Sequence, residues 1–131
     1  MERKAVNPWS WSVKLGFDQA QLVEGHRREL LCSGQDAVDA NGNAQHPGDM
    51  AAQLGLALDN LEAVLADADM TLANVVRLNI YTTDVDTLLQ HFAILTERFE
   101  GTGGRFASTL LGVARLVAPQ LLVALEATAM D

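Results

Sequence analysis

Apolar residues recur in the middle of the chain at the spacing of an α-helix. This stripe consists of Met50, Leu54, Leu58, Leu61 and Leu65. Asp49 precedes it as an N-cap residue. The sequence therefore predicts a helix that begins at Met50 and ends near Ala68–Asp69.

A second helical stripe follows later in the chain. Its inner face consists of Leu88, Phe92, Leu95 and Phe99. Thr83 and Asp84 offer caps at its start, and Gly101 begins a glycine-rich end. The sequence predicts a second helix over this stretch.

Strand patterns surround both helices. Apolar and polar residues alternate over 76–81, which is typical of a strand. Further strands are predicted at Gln19–Glu24, Glu29–Gln35, Ala107–Val113 and Leu121–Thr128. The order is strand-strand, helix, strand, helix, strand-strand. Two hairpins would make antiparallel pairs and helices would make crossovers, so we expect an α+β fold with a mixed sheet of about six strands.

One stretch indicates a covering layer beyond the two helices. Leu121 to Leu125 is apolar at every position, as in a strand buried on both faces. Two helices cover only one face of a sheet of about six strands. We therefore expect another subunit to cover the second face.

Bulk composition narrows the classes of partner. A chain of 131 residues, 49% hydrophobic and 20% charged, is expected to form a single domain over 1–131. Its net charge of −8 repels phosphate backbones and anionic membranes, so neither nucleic acid nor membrane is an expected partner. No apolar signal-peptide region follows the N-terminal charges, so a cytoplasmic location is predicted.

The cysteine and histidine residues argue against an internal disulfide and against a metal site. Cys32 is the single cysteine and cannot form an internal disulfide. His26, His46 and His91 lack metal-ligand spacing. We predict no metal site and no cofactor.

Several short motifs appear in an informative order. They are Ser33-Gly34-Gln35, Gly48-Asp49-Met50-Ala51-Ala52-Gln53, Leu58-Asp59-Asn60-Leu61, the central strand from Val75 to Asp84, and the two closing strands. Together they resemble the Rid/YjgF family, also called the endoribonuclease L-PSP family, whose best-known members hydrolyse reactive imines. The resemblance implies a chorismate-mutase-like α+β fold, two helices on one face of the sheet, and a barrel-like homotrimer with ligand clefts between subunits.

The resemblance makes Ser108 the most informative position. In the imine deaminases this position holds an arginine that binds the substrate carboxylate. Each hydrogen bond of such a guanidinium to a charged group is worth roughly 1.5–3 kcal/mol, whereas serine is uncharged. Arg105 lies three residues earlier, about 10 Å along a strand and on the other face, and Arg115 also has the wrong parity. Ser108 is predicted to line a ligand cleft; the alternative is a strand serine bonded to backbone.

Other site residues are also implied by the resemblance. Glu126 matches the family's glutamate that positions an attacking water, with a buried or interface salt bridge as the alternative. Phe17 stands where many members have a tyrosine that reaches a neighbouring subunit's cleft, and it lacks the hydroxyl. Phe92 stands in place of an asparagine near the cleft, although its place on the apolar stripe also fits a core residue. Ser33 and Gly34 are expected at the cleft wall, and for Gly34 a simple strand end is the alternative.

Three functions follow from this reading. The first is binding of a small-molecule ligand without 2-aminoacrylate deaminase activity. The second is hydrolysis of an imine, an enamine or another small molecule, with Glu126 activating water. The third, ribonuclease or translation-inhibitor activity, is disfavoured by the acidic charge. Trp9 and Trp11 share a face if extended, and are expected either to pack or to line the cleft.

Overall fold

The computed structural model describes all residues 1–131 and contains seven strands, three α-helices and two short 3-10 helices, Val13–Leu15 and Leu72–Asn74. The strands are β1 Glu2–Val6, β2 Ala20–Glu24, β3 Glu29–Leu31, β4 Gln35–Asp36, β5 Val75–Thr82, β6 Ala107–Gly112 and β7 Val123–Met130. The helices are α1 Met50–Asp67, α2 Val85–Gln90 and α3 Ala93–Glu100. The predicted α+β class with a mixed sheet is confirmed.

The pairing of the strands differs from the predicted hairpins. The main sheet has the order β3-β7-β5-β6, with β4 also on β7. β5 pairs parallel with β6 and antiparallel with β7, so it lies between the two closing strands. The predicted β6–β7 hairpin is therefore wrong. The predicted pairing of β2 with β3 is also wrong, because β2 pairs with β1.

Strand β1 was not predicted, since its charged residues lack an apolar alternation. Long-range hydrogen bonds hold it instead. The Arg3 guanidinium donates to the carbonyl oxygens of Ala73, Val75 and Arg105. A single β-bridge connects Asp18, in the segment just before β2, to Ala107 of β6. The β1–β2 ribbon is thus a separate two-stranded sheet that contacts the edge of the main sheet at β6.

Helix α1 begins at the predicted residue because of its cap. The Asp49 carboxylate accepts a hydrogen bond from the Ala52 N–H at 3.0 Å. The second predicted helix is divided into α2 and α3. His91 N–H donates to Leu88 O and Phe92 N–H to Leu89 O, three residues back, and this tighter turn interrupts the α-helix.

The helices pack on one face of the sheet. Leu78 and Ile80 of β5 are fully buried there, together with alternate residues of β7. Arg77, Asn79 and Tyr81 lie on the other face, which no helix covers. We call this second side the open face.

The apolar run before β7 contributes less to the open face than expected. Leu121 and Leu122 precede β7, and among the next three residues only Ala124 has the parity of the open face. The run therefore supports a second covering layer only weakly, and the homotrimer stays a prediction. No helix is both long and apolar enough to span a membrane.

Candidate functional site

One pocket gathers three of the predicted site residues, Phe17, Phe92 and Ser108. It lies between β6, the loop before β2 and the junction of α2 with α3, and has a volume of about 280 Å³. The complete lining is Leu15, Phe17, Ile80, Leu89, Phe92, Ser108 and Leu110. We call this set the Ser108 pocket.

The sheet register positions the floor of the Ser108 pocket. In the parallel β5–β6 pair, Ser108 lies beside Leu78 and Leu110 beside Ile80. Because side chains alternate along a strand, Ser108 and Leu110 share the helix-facing side of β6. Ile80 contributes from the neighbouring strand, and Phe92 covers the pocket from the helix junction.

Gly16 brings the N-terminal loop close to α3. Its φ of 95° is left-handed, and a Cβ there would lie 2.8 Å from Thr96 Cγ2. Only glycine accepts this conformation and this contact without strain. Its neighbours Leu15 and Phe17 are thereby carried to the pocket, and Trp11 packs edge-on against Phe17 with ring centroids 5.9 Å apart.

Ser108 both lines the pocket and bonds to backbone. Its hydroxyl donates a hydrogen bond of 2.7 Å to Leu78 O. The two sequence interpretations of this residue therefore describe the same geometry. The hydroxyl proton is engaged, whereas the oxygen keeps lone pairs that accept hydrogen bonds.

No charged side chain lines the Ser108 pocket. Arg105 instead donates charge-assisted hydrogen bonds to Asp18, from Nε to both carboxylate oxygens at 3.0 and 3.1 Å and from a terminal nitrogen at 2.8 Å. Burial alone would raise the pKa of Asp18, which is 1% exposed, but hydrogen bonds from Arg105, Asn7 and Gln21 together lower it. Arg105 is thus committed to a structural carboxylate.

Glu126 lies on the open face, opposite to Ser108. One carboxylate oxygen accepts hydrogen bonds from Asn79 Nδ2 at 2.9 Å and from Tyr81 Oη at 3.0 Å. Bonding to Asn79 and Tyr81 lowers the pKa of Glu126, and the positive charge of Arg77 adds to this effect. The carboxylate is ionised at neutral pH and is a weaker base than an ordinary glutamate. Within the chain, its hydrogen-bond partners are the neutral donors Asn79 and Tyr81.

Ser33 and Gly34 lie away from the Ser108 pocket. They connect β3 to β4, both of which pair with β7, so β7 and β5 separate them from β6. A Cβ at Gly34 would meet no atom within 4 Å. Nothing within the chain therefore requires glycine there.

The sequence analysis did not predict the residues that surround Glu126 on the open face or those at the rim of the Ser108 pocket. Asn79 and Tyr81 share the parity of Glu126 once β5 is known to pair with β7, and their alternation in the sequence was the available signal. Leu15 and Leu89, at the rim of the Ser108 pocket, are 55% and 54% exposed. No local pattern places them together.

A mixed sheet with helices on one face and a pocket at the β6 edge defines a YjgF-like α+β protein. A family model described as Endoribonuclease L-PSP matches residues 12–131. The chain belongs to this Rid/YjgF family, as the sequence motifs predicted.

Individual relatives agree with this assignment. The chain is 36% identical to the Rid family protein YyfB from Yersinia pestis, of unknown function, with full coverage of both chains and a TM-score of 0.89. The YjgF structure from E. coli is 26% identical, covers 87% of each chain and has a TM-score of 0.70. Mitochondrial protein mmf2 from Schizosaccharomyces pombe is 38% identical over 76% of this chain and 72% of its own length. Protein DfrA from Myxococcus xanthus is 34% identical, and the match spans 65% of each protein.

Proposed function

We propose that this chain binds a small molecule in the Ser108 pocket and does not hydrolyse 2-aminoacrylate. The observation that carries the proposal is a pocket with Ser108 as its only polar lining residue and without a charged group. A carboxylate entering it would lose its water shell without gaining a cation. Arg105 offers no substitute, because it holds Asp18.

Assembly into a homotrimer is part of the proposal. The open face carries Arg77, Asn79, Tyr81 and Glu126 and is not covered by a helix. We propose that further copies of the chain cover this face, which lies on the side of the sheet opposite to the Ser108 pocket. The cytoplasmic location stays a prediction from the sequence.

Hydrolysis of an imine or enamine with Glu126 activating water is the second candidate. It is favoured by an ionised carboxylate that two neighbouring side chains hold in place. Two observations weigh against it: the lowered pKa makes Glu126 a weak general base, and the side chain faces away from the Ser108 pocket. Ribonuclease activity is not proposed, since the net charge of −8 opposes RNA binding.

An assay with freshly generated 2-aminoacrylate and related imines tests the proposal. We expect the wild-type protein to release ammonia no faster than buffer. Ser108→Arg places a guanidinium at the pocket floor and is expected to confer binding of small carboxylates. Ala63→Arg, on the exposed side of α1, is the control because it adds the same charge elsewhere.

Wild-type turnover well above buffer would overturn the proposal. If Glu126→Gln abolished that turnover, hydrolysis with Glu126 activating water would replace ligand binding as the proposed function. If Ser108→Arg and Ala63→Arg bound carboxylates equally well, a side chain at position 108 would not contact a ligand in the Ser108 pocket.

A further inference from the structure

The walls of the Ser108 pocket suit a ring. Two phenyl groups, Phe17 and Phe92, face it together with four aliphatic side chains. Engineered cavities of about 150 Å³ with such walls stay dry and bind benzene. A volume of about 280 Å³ therefore accommodates one six-membered ring with one or two substituents.

The single polar group of the pocket accepts rather than donates. The Ser108 hydroxyl uses its proton on Leu78 O at 2.7 Å. The oxygen presents only lone pairs to a ligand. Its best complement is an N–H or O–H group on the ring.

Within one chain, the lining of the Ser108 pocket offers no partner to a ligand charge of either sign. An anion meets no lining cation, and Arg105 lies in a separate ion pair with Asp18. A cation meets no lining carboxylate, because Glu126 lies across the sheet. An ion in this pocket would be desolvated without a partner, which is costly.

We infer that the Ser108 pocket selects neutral ring compounds that carry one hydrogen-bond donor, with Phe17 and Phe92 enclosing the ring and Ser108 Oγ accepting the donor. This inference rests on the proposed binding function and adds the class of ligand. In this inference the Ser108 hydroxyl contributes to ligand specificity, rather than only standing where an arginine is absent.

Three matched probes test the inference: 4-cresol has a ring and a donor, 4-methylanisole has the donor blocked, and 4-methylbenzoate is charged. Calorimetry measures each affinity for the full chain. Methyl-labelled NMR spectra locate binding, since Ile80, Leu89 and Leu110 line the pocket.

We expect 4-cresol to bind about threefold to tenfold tighter than 4-methylanisole, as for one net hydrogen bond. It should bind at least about tenfold tighter than 4-methylbenzoate, because the carboxylate is desolvated without a partner. Ser108→Ala should remove the preference for 4-cresol over 4-methylanisole. Ser108→Arg should favour 4-methylbenzoate, whereas Ala63→Arg should leave the wild-type order unchanged.

The possible failures are distinguishable. Binding of 4-methylbenzoate as tight as that of 4-cresol, with shifts at the pocket methyl groups, would overturn the ligand class and leave the binding function standing. A preference for 4-cresol that survives Ser108→Ala would overturn the role of Ser108. Absence of pocket shifts with every probe at millimolar concentration would overturn both the inference and the proposed function.

Discussion

Replacement of Asp18 by alanine should destabilise the fold far more than loss of a surface carboxylate. Asp18 is 1% exposed and accepts hydrogen bonds from Arg105, Asn7 and Gln21. Gln21 in turn accepts a hydrogen bond from the Arg3 side chain at 3.2 Å, and Arg3 holds β1 on the sheet. The Asp18 carboxylate therefore connects the N-terminal ribbon to the lead-in of β6.

The expected magnitude follows from these partners. The Asn7 and Gln21 amides lose an acceptor in a partly buried site, which costs about 1 kcal/mol each. The charge-assisted contact to Arg105 contributes about 1.5 kcal/mol rather than more, because that side chain is 40% exposed and regains water. Asp18→Ala should thus lower the free energy of unfolding by about 3–4 kcal/mol.

Asp59→Ala is the matched control. Asp59 also pairs with an arginine, Arg98, at 2.6 Å, but its side chain is 61% exposed. Its removal should cost less than about 1 kcal/mol, and both substitutions change the net charge equally. Urea unfolding followed by circular dichroism measures both free energies, and an unchanged slope shows that the transition remains comparable. Similar losses for the two variants, or a loss below about 1 kcal/mol for Asp18→Ala, would refute the reasoning.

Three further predictions concern backbone conformation and pH. Gly16→Ala should cost about 1–3 kcal/mol, because it combines a left-handed φ with a contact 2.8 Å from Thr96 Cγ2; an unchanged thermal midpoint would contradict this. Gly55→Ala should stabilise by about 0.4–1 kcal/mol, since Gly55 lies within α1 with open space around a Cβ, and a lower midpoint would contradict that. The folded pKa of Asp18 lies below the ordinary 3.8, so its stabilisation is complete above that pH and is lost as pH falls through the folded pKa. The stability difference between wild type and Asp18→Asn, measured by urea unfolding, should therefore be constant near neutral pH and shrink below about pH 4; a constant difference down to pH 2 would be inconsistent with the lowered pKa.

Features with a local cause were predictable. Helix α1 begins at Met50 as expected, because the Asp49 cap and the apolar stripe lie within one short segment. The break between α2 and α3 escaped prediction, since Leu88 and Leu95 stay in helical register across it.

For the candidate site, too, the sequence pattern predicts some features, and the pairing of distant strands decides the others. The alternation in β7 puts Val123 and Leu125 inward and Glu126 outward, which the sequence pattern allows. Strand β6 has apolar residues on both faces, so its pattern does not reveal which face carries Ser108. Only the parallel pairing of Ser108 with Leu78 places it on the helix side, opposite to Glu126.

The sequence by itself determined the family, the α+β class and the main helix, and it predicts that Ser108 stands in place of a carboxylate-binding arginine. These features follow from residue types and from the regular spacing of apolar residues within single segments of the chain. The tertiary structure alone decided that β5 lies between β6 and β7, that Arg105 belongs to Asp18, and that Ser108 and Glu126 face opposite sides of the sheet. The physical reason is that strand pairing and ion pairing join residues from distant segments, as Asp18 and Arg105 do across 87 positions, and no local pattern encodes such partners.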